Sequence, residues 1–191
     1  MAQRSYVLKD RARRQEETRR RIVDAAIDLH QTIGPARTTF SDVAERAGVG
    51  RVTVYRHFAD EPALAAACSG HYFATHPMPD IALWRAMADP SERLRHGVRE
   101  TLEWWGANAP MMGHVLADAR DHPVMAPFHR HWDAAVEALC AGSSASGRRR
   151  ARLRAAVALA LGFETWRTLV AEGGLSVDEA CEFLVEAVAW E

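Results

Sequence analysis

Residues 38–58 read TTFSDVAERAGVGRVTVYRHF. Thr39 with an acid three residues on, at Asp42, is a capping-box pattern that opens a short helix. Val43, Ala44 and Ala47 form its inward side, and Gly48 breaks it after two turns. A further helix begins near Gly50, with Val54 and Phe58 one turn apart and facing inward. Two short helices joined by a tight glycine turn make a helix-turn-helix. With Val43, Ala47, Val49, Val54 and Phe58 turned inward, Arg51, Val52, Tyr55 and Arg56 are left outward. Such a face, with Thr53 in its first turn, suits entry into the major groove of DNA, and the helix N-terminus attracts phosphate.

On either side of this stretch almost every segment reads as helix. Upstream, Ile22, Ala25, Ala26, Leu29 and Ile33 fall on one apolar stripe of a helix from about Glu16 to Ile33, ended by Gly34-Pro35. Downstream, Asp60 caps a fourth helix to about Ala74, and residues 77–90 read as an irregular link. Asp89-Pro90-Ser91-Glu92 opens a helix to about Asn108, Pro110 one to Asp121 and Pro123 one to Ala141. A flexible AGSSASG loop precedes a long helix from Arg148 to Val170, which Gly173-Gly174 ends. Ser176 caps the last helix, with Glu179 at the box position. The expected fold is all-α with about nine helices. Residues 1–60 form a three-helix DNA-binding domain with a basic arm over 1–17, and residues 61–191 a helical domain for ligand binding and dimerisation.

The chain has 191 residues, 48% hydrophobic and 26% charged, which describes a globular protein. A net charge of −1 by itself points to no nucleic-acid partner. The average hides an asymmetry: residues 1–21 carry eight cations (Arg4, Lys9, Arg11, Arg13, Arg14, Arg19, Arg20, Arg21) against Asp10, Glu16 and Glu17. A basic arm on an acidic body suggests polyanion contact at one end, or else a solvated tail. Three cysteines, scattered and odd in number, fit a reducing compartment, so a cytoplasmic location is expected. The longest apolar run, Ala155 to Phe163, is too short to span a bilayer, and Met1 to Arg21 has no apolar core of a signal peptide.

From about Thr18 to Leu64 the chain resembles the TetR family of bacterial transcriptional repressors. IVDAAIDL, TTFSDVAERAGV and TVYRHFADEPAL stand at the family's spacing. The resemblance implies a homodimer on double-stranded DNA, joined through the last two helices, where Ala155, Ala156, Ala158, Ala160 and Gly162 permit close approach. It also implies roles: Arg51 and Val52 meet base edges, Ser41 reaches a base or phosphate, and Thr39, Thr53, Tyr55 and His57 bind phosphate. Arg56 and Gly50 complete the expected DNA face. Two positions depart from the family pattern. Gly50 stands where serine is common, and Glu61 where a phosphate-binding lysine is usual. Arg11 to Arg21 would then supply the missing phosphate contacts, as arms of other DNA binders do.

Six tryptophans are many for this length. Trp104, Trp105, Met112, Trp132, Phe163, Glu164 and Trp166 are the candidate lining for a small, hydrophobic effector. The alternative for each is ordinary core, and for Glu164 a pair with Arg167. His114, Asp118 and His122, spaced four apart, leave a metal-binding or small all-helical enzyme reading open, although the apolar side of that helix turns His114 and Asp118 toward solvent. The chain shows no GxSxG, Walker-type loop or HExxH. No cofactor, metal or catalytic residue is expected.

Overall fold

In the computed structural model the described residues are 2–189, with side chains for 9–188, and among them lie ten α-helices and no strand. The first helix, α1, spans Ala2–Thr32 and so begins well before Glu16. The arm is helical because its few acids are spaced to pair along one face. Asp10 accepts from Arg13 at 2.6 Å and from Arg14 at 2.9 Å, and Arg13 reaches Glu17 at 3.2 Å. Met1 lies outside the described residues.

Next come a 3-10 turn, Pro35–Arg37, and α2, Phe40–Arg46, opened by the expected capping box. Gly48, at φ +63°, turns the chain into α3, Arg51–His57. Asp60 then caps α4, Glu61–Thr75, by accepting the Ala63 N–H at 2.8 Å. Ile22, Val23 and Ala26 of α1, Phe40, Val43 and Ala44 of α2, Val54 and Phe58 of α3 and its C-cap, and Leu64 and Cys68 of α4 bury together as one core.

The link at 77–90 is not irregular throughout. Asp80 accepts the Ala82 N–H at 2.9 Å and opens α5, Ile81–Ala86, which buries Ile81 and Trp84. The two helices expected at 90–108 and 110–121 are one, α6, Pro90–Asp118, which continues through Pro110. A proline in a helix interior removes one ladder hydrogen bond, and the rest of the ladder carries α6 past it. A 3-10 turn, Pro123–Met125, leads into α7, Ala126–Cys140.

The long helix expected at 148–170 is broken at Leu161–Gly162. It becomes α8, Gly147–Ala160, then α9, Phe163–Trp166, which runs on as π-helical turns over Arg167–Glu172. The Leu161 carbonyl freed by the break accepts the Trp105 indole N–H at 3.0 Å. The last helix, α10, is Val177–Ala189. Its Ser176–Glu179 box closes with bonds of 2.7–3.2 Å, and these hold the Glu179 carboxyl below its ordinary value.

The chain divides into two compact units, residues 2–77 with 110–124, and residues 78–109 with 125–189. The boundary expected at residue 60 therefore falls inside the first unit. Leu64 and Cys68 of α4 are part of its core, with the Cys68 thiol 4.0 Å from the Val23 carbonyl. Within that unit the end of α6 meets the turn after α1, where the Asp118 carboxylate accepts the Ala36 N–H at 3.1 Å. Gly34 sits there at φ +88°, and a Cβ on it would lie 2.5 Å from Asp118 Oδ2. Gly34→Ala is expected to cost about 1–3 kcal/mol through backbone strain and the lost carboxylate contact, read from the urea midpoint. An unchanged midpoint would refute this account of the turn.

Candidate functional site

The outward face of α3 follows from what its inward face buries. Val54 and Phe58 are 0% and 2% exposed, which leaves Arg51, Val52, Tyr55 and Arg56 in solvent. Val52 is 81% exposed, more than any other large apolar side chain among the described residues. An isolated apolar side chain beside an arginine at a helix start suits a groove floor, where thymine offers a methyl and guanine two acceptors. Tyr55 is held from two directions. Its ring packs on Phe40 with centroids 4.9 Å apart, and its hydroxyl accepts from Arg51 at 3.3 Å.

Around α3 stand the other expected contacts. Thr39 and Ser41 are exposed, and Thr53 and His57 half-buried. Thr39 is committed first to its box: its N–H donates to Asp42 at 2.9 Å, and its hydroxyl lies 2.7 Å from the same carboxylate oxygen. Those bonds, the hydroxyl's first, lower the Asp42 carboxyl below its usual range. Gly50 is the residue before α3 and supplies no side-chain cap. His57 is held below its ordinary value by burial, then by the nearby Arg56 and Arg19 charges, so it is neutral at pH 7. Arg19 lies over the Phe58 ring at 4.8 Å. The sequence placed Arg19 in a generic basic arm; what tied it to α3 is that Phe58 closes the core from the other side.

Glu61 and Asp60 border the same face. With Thr39, Phe40, Ser41, Arg51, Tyr55 and Pro62 they line a groove of about 460 Å³. Glu61 is the first residue of α4, where a carboxylate favours the helix dipole. At that position the acid serves its own helix.

In the second unit the expected effector residues separate. Trp104, Trp105, Trp132, Phe163 and Trp166 join Phe128 in one aromatic cluster. Trp105 stacks on Trp132 at 5.1 Å and meets Phe163 edge-on at 5.2 Å, and Phe163 stacks on Trp166 at 5.5 Å. Glu164 is not among them. It is exposed and paired with Arg167, so the acid that looked misplaced in an apolar helix stands at its surface. Met112 is buried in a segment of the first unit.

The histidine–aspartate trio does not converge. Asp118 is taken by Ala36, and His122 Nδ1 lies 3.2 Å from the Val124 N–H, which donates to it. His114 and Asp118 also lie beside the Gly34 turn, with Asp118 exposed as the helix pattern suggested and His114 half-buried. Among the described residues no three potential ligands gather around a point. All three cysteines are buried, and burial pushes the Cys68 thiol up to about 12.

Residues 22–68 match the family described as bacterial regulatory proteins, tetR family. The HTH-type transcriptional regulator TtgR of Pseudomonas putida is 41% identical over 61 residues, which span 32% of this chain and 29% of that regulator. Among solved structures, the multidrug binding protein EbrR, complexed with imidazole, is 26% identical with a TM-score of 0.58, covering 88% of this chain and 93% of that one. FadR of Bacillus subtilis, in complex with stearoyl-CoA, has the same TM-score at 15% identity, over 88% of this chain and 96% of that one. No helix among the described residues is long and apolar enough to cross a membrane.

Two outcomes follow for DNA carrying the cognate site. Arg51→Ala is expected to cost about 1–3 kcal/mol and to relax preference at one base pair, and equal affinity of mutant and parent would remove Arg51 from the interface. A phosphate next to His57 raises its pKa above the depressed free value. Affinity should therefore rise as pH falls through the bound-state pKa, and His57→Gln should abolish that dependence in binding isotherms taken from pH 8 to 5.5.

Proposed function

The chain belongs to the TetR family of bacterial regulatory proteins, and from that premise we propose that it is a homodimeric, ligand-responsive transcriptional repressor. One observation carries the reading: Arg51, Val52, Tyr55 and Arg56 share an outward face on a helix whose other face is locked into a core. Arg51 and Val52 read base edges. Ser41, Thr39, Thr53, Tyr55 and His57 dock on the backbone, and the basic helix over 9–21 adds phosphate contacts in place of the lysine that Glu61 replaces.

One such helix reads a single short half-site, so useful specificity calls for two. The dimer reading draws support from α8 and α10, which leave Leu159 and Phe183 exposed by 70% and 56%. A second copy would cover these apolar side chains. Two recognition helices in a fixed dimer then fit successive major grooves of a palindrome about 34–36 Å apart.

Effector release rests on the second unit. Two proteins of the same fold hold small molecules, imidazole in one and stearoyl-CoA in the other. Here the aromatic cluster is the site for such a ligand. α6 contributes residues 90–109 to the effector unit and 110–118 to the DNA-binding unit, so one helix belongs to both. Ligand binding shifts the population away from the separation that fits DNA, with a coupling of about 1–3 kcal/mol.

Fluorescence anisotropy on the DNA flanking the chain's own gene, titrated with salt, tests the proposal. Saturable binding with two chains per site, over a weak background on unrelated DNA, is the expected result. Equal weak binding to any DNA would remove the operator reading, and no binding even at low salt would remove the DNA function.

A further inference from the structure

A buried charge calls for an opposite charge and a full set of hydrogen bonds around it. Arg93 of α6 has neither. It is 7% exposed, and its Nε is buried without a partner. Its Nη1 donates to the Met87 carbonyl at 3.1 Å and its Nη2 to the Ala141 carbonyl. Both acceptors are neutral, so among the described residues the guanidinium has no counter-charge. Its edge lies behind Gly142: a Cβ on that glycine would stand 3.4 Å from Arg93 Nη2.

Gly142 lines a groove of about 370 Å³ that lies wholly within the second unit, a size that suits a small ligand. The floor is apolar and comes from four helices. Leu94 of α6, Leu139 of α7, Leu153 and Val157 of α8 and Val188 of α10 are all buried or half-buried. The exposed side is polar, with Ser143, Ser144 and Ser146 of the loop and Arg149 of α8. Among the described residues no acid and no aromatic ring lines this groove, so it is separate from the tryptophan cluster. The start of α8 adds positive charge. Residues 148–154 carry five arginines, of which Arg150 and Arg154 pair with Glu137. The first turn of α8 has no acid, and Ser146 makes no side-chain cap bond. Cations thus crowd the positive end of a helix, where acids are ordinarily favoured.

We infer that this groove binds an amphipathic anion, a molecule with an apolar chain and a carboxylate or phosphate head. The chain covers the leucine and valine floor. The head lies among the serine hydroxyls and Arg149, whose planar fork matches either oxyanion. Across the bare α-carbon of Gly142 it also supplies the counter-charge that Arg93 lacks. A neutral molecule of the same shape would leave that buried charge uncompensated, and a cation would meet like charge from both arginines. The site lies outside the aromatic cluster, so the inference goes beyond the effector reading and does not depend on it.

Octanoate, octyl phosphate, octanol and octylammonium test this, because they share one chain and differ in the head. Calorimetry on the full chain should show at least one of the two anions binding about tenfold more tightly than octanol, and octylammonium more weakly still. In ¹³C methyl spectra that anion should move the signals of Leu153, Val157 and Val188. Arg149→Gln and Ser144→Asp, both at exposed positions, should each weaken the anion severalfold and leave octanol unchanged. The wild-type comparison and its methyl shifts decide alone if a variant unfolds. Equal affinity for anion and octanol, or no saturable binding of either anion, would overturn the inference. So would shifts confined to residues outside the groove, or folded variants that bind the anion as the parent does.

Discussion

The burial of Val54 and Phe58 is the constraint on which the DNA-facing surface depends. Both are nearly inaccessible, in a core they share with Ile22, Val23 and Ala26 of α1 and Val43 of α2. Each is worth about 1.5–3 kcal/mol of hydrophobic transfer. A seven-residue helix is too short to be stable by itself, so this packing both creates α3 and sets its rotation. Once two positions a turn apart are fixed inward, the outward positions follow from the helical period. The Thr39–Asp42 box fixes the other end of the motif by closing the first turn of α2.

What the sequence made legible is what short-range chemistry controls. The caps at Thr39, Asp60, Asp89 and Ser176 all form, because a side-chain oxygen two or three residues from a free N–H needs no distant partner. The outward set on α3 was legible for the same reason of period. Helix ends governed by tertiary contacts were not. Pro110 reads as a start, yet α6 runs through it, since one lost backbone bond is outweighed by packing on either side. Leu161–Gly162 reads as helix interior, and its break depends on an indole 56 residues away that takes the freed carbonyl. Glu164 stood as a pocket candidate because its neighbours are apolar; the structure turns it out to Arg167, the pairing its spacing also allowed.

The electrostatics of the two ends are arranged by different means. Along α1 the arginines are spaced so that Asp10 and Glu17 pair with two of them without cancelling the net positive charge. At the start of α4 the acids at 60 and 61 stabilise their own helix and oppose an approaching phosphate. Helix stability and positive charge thus draw on separate segments, and that positive charge is carried by arginine, which keeps it at every working pH.

The buried thiols carry a practical consequence. Cys68, Cys140 and Cys181 all lie inside the protein, and a thiol with a pKa near 12 is ionised at neutral pH in only about one molecule in a hundred thousand. Peroxide and maleimide react with thiolate, so Cys68 is close to silent toward both, and burial pushes the Cys140 and Cys181 thiols up as well. A cysteine placed at an exposed position such as Val52 would then take up a fluorophore or spin label in preference to the native thiols.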